Sequence, residues 1–408
     1  MRIVHVSCWD TRGGAAIAAS RLHLGLLKKG VDSHFLCARS QGDLPNTHLI
    51  SEGLAFQKDR ALNALCRMIG DRQNDPTSFG CSTNFFSNAL TKRLHQLKPD
   101  IVHLHWVGTS VAPLSALKHI PYPIIWNLHD MWPFSGAEHY DVTGERRYAT
   151  GYTAENRPKD ATGPDVNRWV WQRKMHYWKG LTMHFVGVSD WISDCCRASQ
   201  VFQNLSKEST VHTIHNGLDR TIFYPRSKAA ARAELGLRAD CKTILFGAFS
   251  ATSYVKGGNL LMQALKKLDA GDKPIELAVF GNASAEITAP GTIRYLGSIK
   301  DPGDMAKVYS AGDLMVVPSR IESFGQTASE ALACGTPVAC FDTSGLRDIV
   351  RNDVCGIRAK AFDLDDLALA IKNLLKRPAD PAAVAQQAEI FDLGLIVDQH
   401  LSLYRTCL

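Results

Sequence analysis

The chain lacks long apolar runs. None of its 408 residues belongs to a run of the roughly 20 apolar residues that a membrane-spanning helix needs. The opening MRIVHVSCWDTRGG also lacks the apolar core of a signal peptide, because charge follows its short apolar part at once. With 45% hydrophobic and 21% charged residues, the composition predicts an ordinary globular protein of two domains.

Cysteine pairs at metal-binding spacing are absent as well. The chain has eleven cysteines, an odd number that suits no closed disulfide framework, and none forms a C-x-x-C pair. The spacing therefore excludes a structural zinc site of the usual kind. Scattered free thiols predict a reducing compartment, of which the cytoplasm is the simplest.

A dinucleotide-binding fingerprint is missing after the first apolar run. An NAD-dependent dehydrogenase would need G-x-G-x-x-G there, and CWDTRGGAAIAAS lacks that spacing. A dehydrogenase is therefore excluded, and we expect neither a cofactor nor a bound metal.

The excess of positive charge is confined to one half. Residues 1–200 hold 23 Lys and Arg against 17 Asp and Glu, whereas residues 201–408 hold 23 of each. A basic first half could face an anionic substrate or lipid headgroups. It could equally be a slightly basic domain without such a partner. The pattern does not indicate nucleic acid as a partner.

Apolar runs of strand length alternate with helix-length segments in both halves, which predicts parallel sheets covered on both faces. We expect an α/β protein of two doubly wound Rossmann-like domains facing a cleft. The first should comprise residues 1–210, with a helix at about 386–408 crossing back onto it, and the second residues 211–385. The turn-rich stretch 214–226, IHNGLDRTIFYPR, is interpreted as the linker.

Two glutamates flank the start of a predicted helix in SRIESFGQTASEALACGTPVA (319–339). Glu322 and Glu330 are separated by seven residues, and Gly325 lies between them. The free N–H groups at a helix start suit a phosphate. A sugar nucleotide would supply hydroxyls to a carboxylate on each side of its diphosphate. The alternative is a solvated loop glutamate and a helical glutamate that merely favours the helix dipole.

The same stretch resembles the signature of the family 4 retaining glycosyltransferases, which have the GT-B fold and a Glu-x7-Glu element. The likeness extends to IHNGLDRTIFYP, to YVKGGNLLMQAL, to IRYLGSI with MAKVYSAGDLMVVPS, and to GGAAIAASRLHLGLLKKGVDSHFLC. The branch it resembles is the capsule or exopolysaccharide type.

The resemblance implies a role for each matching residue. Glu322 would contact the transferred sugar, Glu330 the ribose, and Lys256 the diphosphate, while His129 in NLHDMWPFSG would line the reaction centre. Catalytic roles thus fall on His129 and Glu322. Donor-binding roles fall on Gly13, Gly14, Lys256, Ser323, Phe324, Gly325, Gln326, Thr327 and Glu330.

One position departs from the family pattern. Ala248 stands in GAFSATSYVKGG where the family usually has an arginine on the diphosphate. Lys256 would then carry that charge alone, or Arg12, Arg320 or another cation would replace it.

Three other segments have two interpretations each. His103 and His105 in IVHLHW face one side of a strand, but a metal would need a third ligand, for which Asp130 or His129 could be imagined. The stretches 56–73 and 167–180 combine basic and apolar or aromatic residues. They could contact a membrane interface, although packing and a plain surface helix explain them better.

The predicted function is transfer of a sugar from a UDP- or GDP-linked donor to a glycan or polyprenyl-linked acceptor, with retention of configuration. The setting would be polysaccharide or lipopolysaccharide biosynthesis in the cytoplasm, either free or peripheral at the inner membrane face. Alternatives are a sugar-nucleotide epimerase or hydrolase on the same scaffold, and a non-catalytic partner protein.

Overall fold

The computed structural model describes residues 1–73, 80–86, 88–248, 253–268, 274–281 and 291–408. The chain divides into two compact units. The first unit comprises Met1–Gly217 together with Gly394–Leu408, and the second unit comprises Leu218–Leu393. The boundary falls within the segment interpreted as the linker.

Each unit contains one parallel sheet. The first has seven strands in the order β3-β2-β1-β4-β5-β6-β7, and the second has six in the order β10-β9-β8-β11-β12-β13. The predicted α/β class with two parallel sheets is confirmed. The strands are β1 Arg2–Trp9, β2 Asp32–Arg39, β3 Thr47–Leu49, β4 Ile101–Leu104, β5 Ile124–Leu128, β6 His184–Gly187, β7 Thr210–Thr213, β8 Lys242–Ala248, β9 Ile275–Gly281, β10 Thr292–Gly297, β11 Leu314–Val317, β12 Val338–Phe341 and β13 Gly356–Ala359.

Helices connect most of these strands, as is usual for parallel pairing. They are α1 Gly14–Lys28, α2 Gly53–Gly70, α3 Leu90–Leu97, α4 Arg147–Thr150, α5 Val166–Tyr177, α6 Asp190–Arg197, α7 Gln200–Gln203, α8 Lys228–Leu235, α9 Gly258–Leu265, α10 Pro302–Ala311, α11 Gln326–Ala333, α12 Leu346–Ile349, α13 Leu364–Lys376, α14 Pro381–Gln386 and α15 Leu393–Thr406. Within the described residues, no helix is both long and apolar enough to cross a membrane.

Central strands are buried on both faces, which explains their unbroken apolar runs. All four residues of β4, of β11 and of β12 are buried. In the second unit, side chains of β8, β11 and β12 pack against α9 and α13 in one core cluster. In the first unit, β1, β4 and β5 lie side by side.

Strand order reverses once in each sheet, and ligands of open α/β sheets bind beyond the carboxyl ends of the strands at such a point. In the first unit the reversal lies between β1 and β4, and in the second between β8 and β11. The loops that follow these strands carry most of the residues singled out from the sequence.

Candidate functional site

The predicted residues of the second unit lie on the loops after β8 and β11. Lys256 follows β8, and Glu322 follows β11. The Lys256 Nζ lies 2.6 Å from Glu322 Oε1, and the Ser319 hydroxyl donates to the same oxygen at 2.8 Å. Glu322 is only 8% exposed, so the interpretation of it as a solvated loop residue is wrong.

The two loops are joined by their backbones. The Arg320 N–H donates to the Val255 carbonyl at 2.8 Å. Gly257 has φ +64°, and a Cβ there would lie 2.0 Å from the Pro318 carbonyl oxygen. Only glycine therefore lets the Lys256 turn lie against the end of β11.

Helix α11 begins where the sequence predicted an anion site. Gly325 precedes it at φ +102°, in the left-handed region. The backbone N–H groups of Gln326 and Thr327 have no acceptor among the described residues, as first-turn amides lack helical partners. The Gln326 Nε2 is buried and also has no partner there. The helix start thus gathers unused donors beside Lys256 and Glu322.

Glu330 is held by a tyrosine that sequence reasoning missed. Its Oε2 accepts a hydrogen bond from the Tyr309 hydroxyl at 2.8 Å, and both residues are buried. Tyr309 lies in α10, where it packs edge-on against Phe280 with ring centres 5.7 Å apart. Its position in the sequence looks like ordinary helix core, so only the fold shows that its hydroxyl fixes one Glu330 oxygen.

Ser323 and Phe324 are buried between the two glutamates. The Phe324 ring packs edge-on against Phe391 at 5.3 Å, and it is 3% exposed. The Glu322 backbone N–H donates to the Ser344 hydroxyl at 2.9 Å, and the Gly345 N–H donates to the Glu322 carbonyl at 2.9 Å. These contacts hold the loop, and Phe324 could reach a ligand only through its backbone.

Two arginines are candidates to replace the family arginine in whose position Ala248 stands, namely Arg320 and Arg12. Strand β8 ends at Ala248, whose side chain lies outside the described residues together with 249–252. The Arg320 guanidinium lies 4.3 Å from the Tyr254 ring centre and 5.4 Å from that of Phe362. Arg12 instead lies over Trp9 at 5.0 Å. Arg320 is thus the candidate cation on the Glu322 loop.

In the first unit, the predicted residues follow β1 and β5. Gly13 adopts φ +90° and precedes α1, which begins at Gly14, and nothing lies within 4 Å of a Cβ built on Gly13. His129 directly follows β5 and is partly exposed. Strand β4 lies between β1 and β5, so all three loops leave the same edge of the sheet.

His129 is bonded to a row of histidines. The His129 Nε2 lies 3.1 Å from His105 Nδ1, and the His105 Nε2 lies 2.9 Å from His5 Nδ1. Burial lowers the pKa of His5 and His105 well below the usual value, and it lowers the pKa of His129 to about 4. The three rings are therefore neutral near pH 7. We call them the imidazole chain.

His103 completes this group. Nitrogens of His5, His103 and His105 lie within 4.8 Å of one another, so these residues could hold a metal. The third candidate ligand is thus His5, and neither Asp130 nor His129 belongs to this group. Both His103 nitrogens are already hydrogen-bonded, to the Tyr404 hydroxyl at 2.7 Å and to Asn127 Oδ1 at 2.8 Å. Hydrogen bonds thus occupy both nitrogens of His103 and both of His105, whereas the His5 Nε2 has no partner among the described residues.

Asp130, next to His129, is fixed by three donors. Its Oδ2 lies 2.6 Å from Trp106 Nε1 and 2.6 Å from His139 Nδ1, and its Oδ1 accepts from the Trp132 N–H at 3.0 Å. Both carboxylate oxygens are thus occupied within the loop. Asp130 positions the backbone beside His129.

A buried lysine supports the same loop. Lys174 of α5 is 0% exposed, and its Nζ donates to the carbonyls of Trp132, Ser135 and Gly136. Burial lowers the pKa of its amine well below the usual value. Lys174 is therefore turned into the first unit and is not one of the surface cations of the stretch 167–180.

Lys174→Met is expected to lower the free energy of unfolding by about 3–5 kcal/mol, because three buried carbonyls lose their donor. The loss is measured by urea unfolding followed by tryptophan fluorescence. Lys179→Met is the matched control, since Lys179 is exposed and its loss should cost less than about 0.5 kcal/mol. A Lys174→Met protein within 1 kcal/mol of wild type would show that the carbonyls find other donors.

Sequence reasoning missed partners that depend on strand pairing. His103 and His105 stand out in the sequence because they lie two residues apart on one strand, whereas His5 precedes His105 by 100 residues. The pairing of His5 with His103 in the register of β1 and β4 brings them together. The usable signal was two apolar strands that each carry a buried histidine, since such a histidine needs a partner.

Two protein families match consecutive parts of the chain. The family described as "Glycosyltransferase Family 4" matches residues 12–222, and the one described as "Glycosyl transferases group 1" matches residues 227–391.

Curated relatives include a D-inositol 3-phosphate glycosyltransferase of Catenulispora acidiphila, 34% identical over 219 residues that make up 48% of this chain and 52% of the relative. Another, from Mycolicibacterium paratuberculosis, is 31% identical over 214 residues, 48% of this chain and 47% of the relative. The chain thus matches about half the length of these relatives.

Solved structures resemble the whole chain at low identity. HepE from Anabaena, in complex with UDP and glucose, has a TM-score of 0.67 at 17% identity, with 100% of both chains covered. Sucrose-phosphate synthase from Thermosynechococcus elongatus has a TM-score of 0.65 at 20% identity, covering 100% of this chain and 98% of the other. At such identity the likeness establishes the fold.

Proposed function

Because the chain belongs to glycosyltransferase family 4, we propose that it moves a sugar from a nucleoside-diphosphate sugar to a glycan or lipid-linked glycan acceptor. We propose further that the anomeric configuration is retained and that the product is a polysaccharide or lipopolysaccharide precursor. The prediction of a glycosyltransferase with the GT-B fold is confirmed at the level of family and fold.

One observation carries the donor half of this proposal. In the second unit, Lys256, Glu322 and the unpaired amides of α11 meet at the reversal of strand order, with Glu330 one turn further along the helix. A cation and free N–H groups suit a diphosphate, and carboxylates on either side suit hydroxyl groups.

The residues divide the work as follows. Lys256 and the amides after Gly325 hold the diphosphate and stabilise the charge that develops as it leaves. Glu322 accepts from hydroxyls of the transferred sugar. Glu330, which accepts a hydrogen bond from the Tyr309 hydroxyl, contacts the ribose hydroxyls. Gly13, Gly14 and His129 border the region of the reacting carbon and the acceptor.

The bond between the sugar's anomeric carbon and the diphosphate oxygen breaks, and the acceptor oxygen attacks from the same face. The leaving diphosphate takes the acceptor's proton, so atoms and charge balance without a covalent sugar–enzyme intermediate. The carboxylate adjacent to His129, that of Asp130, has both oxygens occupied, which favours this route over a carboxylate nucleophile.

The donor base is proposed as uracil or guanine, and the structural neighbour HepE is described with UDP. For the acceptor, we propose one that carries phosphate, such as a polyprenyl-diphosphate glycan. The basic first half supports this, and the curated relatives are named for a phosphorylated inositol. Helix α2, with Leu54 at 90% and Met68 at 62% exposure, is the candidate for peripheral membrane contact.

Thermal unfolding with saturating UDP, GDP, ADP or NAD tests the donor site. A ligand at 100 times its dissociation constant adds about 2.7 kcal/mol. We expect one nucleoside diphosphate to stabilise the wild type and Glu330→Ala to lose the effect. Glu234→Ala, at an exposed residue paired with Lys307, should keep it. If no nucleotide stabilises the wild type, the non-catalytic alternative takes precedence.

Tyr309→Phe refines the same measurement. The variant keeps the packed ring but removes the hydrogen bond from the Tyr309 hydroxyl to Glu330, so we expect poorer discrimination between ribose and 2′-deoxyribose nucleotides at an unchanged fold. Equal discrimination in both proteins would remove Tyr309 from the site. Nucleoside diphosphate release without any acceptor would favour a hydrolase or epimerase.

A further inference from the structure

The hydrogen bonds of the imidazole chain limit which nitrogen of each ring can carry the proton. Three neutral rings carry three N–H protons, and the two links between them use two. The central ring, His105, can donate at one nitrogen only, so it must accept at the other. Two arrangements satisfy both links, and they differ in direction.

In the outward arrangement, His5 donates from Nδ1 to His105, and His105 donates from Nδ1 to His129. The His129 proton then lies on its own Nδ1, outside the chain. In the inward arrangement every proton moves to Nε2. The His129 Nδ1 is then bare, and the third N–H lies on His5 Nε2.

The surroundings of His5, the buried end of the imidazole chain, decide between the outward and the inward arrangement. The His5 Nε2 is buried and has no partner among the described residues. Inward, it would be an N–H without an acceptor, whereas outward it is a bare nitrogen without a donor. Buried donors without partners are the rarer of the two in folded proteins.

No neighbouring histidine accepts a hydrogen bond from His5 Nε2. His400 donates from Nδ1 to the Ile396 carbonyl, so its Nε2 is a bare nitrogen, but that nitrogen has no hydrogen-bond partner among the described residues and does not pair with His5. His103 is occupied at both nitrogens by Tyr404 and Asn127. The imidazole chain therefore ends in the core at His5, and its other end, His129, is partly exposed.

We propose that His5 and His105 are positioning residues that fix the proton of His129 on Nδ1, so that His129 presents a hydrogen-bond donor. The three rings keep this direction together, because reversing one link reverses the other. In the transfer reaction, and resting on the proposed function, His129 donates to a sugar or acceptor oxygen and does not act as the base.

Nitrogen-15 NMR of histidine-labelled protein at pH 7.5 tests the proposal without any substrate. The His129 signals are assigned by their loss in His129→Gln. We expect Nδ1 to be protonated and Nε2 bare in the wild type. His5→Asn keeps an N–H donor near the Nδ1 position and should leave His129 unchanged. His5→Met offers only an acceptor, so the two His129 resonances should exchange character.

Each outcome decides the matter. A wild-type His129 protonated on Nε2, or averaged between nitrogens, overturns the direction, even if neither variant folds. A folded His5→Met protein with unchanged His129 overturns control by His5. Stoichiometric metal in the purified protein overturns the chain, because a ligating nitrogen carries no proton. If the His129 proton moves to Nε2 in His5→Met but kcat does not fall, control of the proton by His5 is supported, and only the role of His129 as a donor in the reaction is overturned.

Discussion

Acidification below pH 6.5 is expected to unfold the first unit while the second stays folded. Five buried histidines lie together there, which we call the histidine cluster: His5, His23, His103, His105 and His400. Burial lowers the pKa of each, to about 4 for His23 and His400, and well below 6.5 for the others. Residues 218–393 contain no histidine.

The direction follows from the protons bound in each state. Between pH 6.5 and about 4 the unfolded chain protonates these five side chains, whereas the folded unit keeps them neutral. Stability from the cluster is therefore complete above pH 7 and is lost as the pH falls. At 1.36 kcal/mol per group, the loss approaches about 7 kcal/mol per pH unit. Domain stabilities are about 5–15 kcal/mol, so little acidification is needed.

The chain provides its own probes for this experiment. All eight tryptophans lie between residues 9 and 191, so tryptophan fluorescence in urea reports on the first unit alone. Hydrogen exchange resolved by peptide gives the second unit separately. A urea midpoint for the first unit that is constant between pH 7.5 and 5.5 would mean that the cluster is charged or already solvated when folded.

Lys256→Met is expected to reduce sugar transfer by about 100- to 1,000-fold. The reason is that Lys256 supplies positive potential where charge develops on the leaving diphosphate. In the structure its partner is Glu322, at 2.6 Å, whose carboxylate would keep only the Ser319 hydroxyl. The rate is measured as release of nucleoside diphosphate from the donor identified by thermal stabilisation, with a glycan acceptor present.

Lys267→Met is the matched control. The Lys267 Nζ also lies 2.6 Å from a carboxylate, that of Asp365, but this pair is exposed. Surface pairs of this kind contribute about 0–1 kcal/mol, and activity should stay at the wild-type level. Transfer by Lys256→Met within threefold of wild type would remove Lys256 from the diphosphate site. Equal losses in both variants would point to a general electrostatic effect.

Much of the fold could be predicted because central strands that are buried on both faces consist of unbroken apolar runs. Runs such as IVHL (101–104) and LMVV (314–317) are apolar on both faces, and the helices between them require parallel pairing. The short strands β3, β7, β12 and β13 were not singled out. Strands β3, β7 and β13 lie at the edges of their sheets and are only partly buried, so they carry no such apolar run.

The site could be predicted as a set of residues but not as contacts. Motif spacing places Lys256 and Glu322 on loops, yet their direct pairing, 66 residues apart, depends on β8 lying beside β11. Tyr309 and Lys174 carry no local signal, because each acts through one polar atom at the end of a buried side chain. Lys174 even stands among surface cations in sequence.

Helix α15 has a consequence for synthesis on the ribosome. It brings His400 and Tyr404 against His103, although it is translated after the entire second unit. N-terminal domains ordinarily fold first as the nascent chain emerges. Here residues 218–393 can complete their fold before Tyr404, the hydrogen-bond partner of His103, has been synthesised. The first unit therefore begins to be synthesised first but completes its folding last.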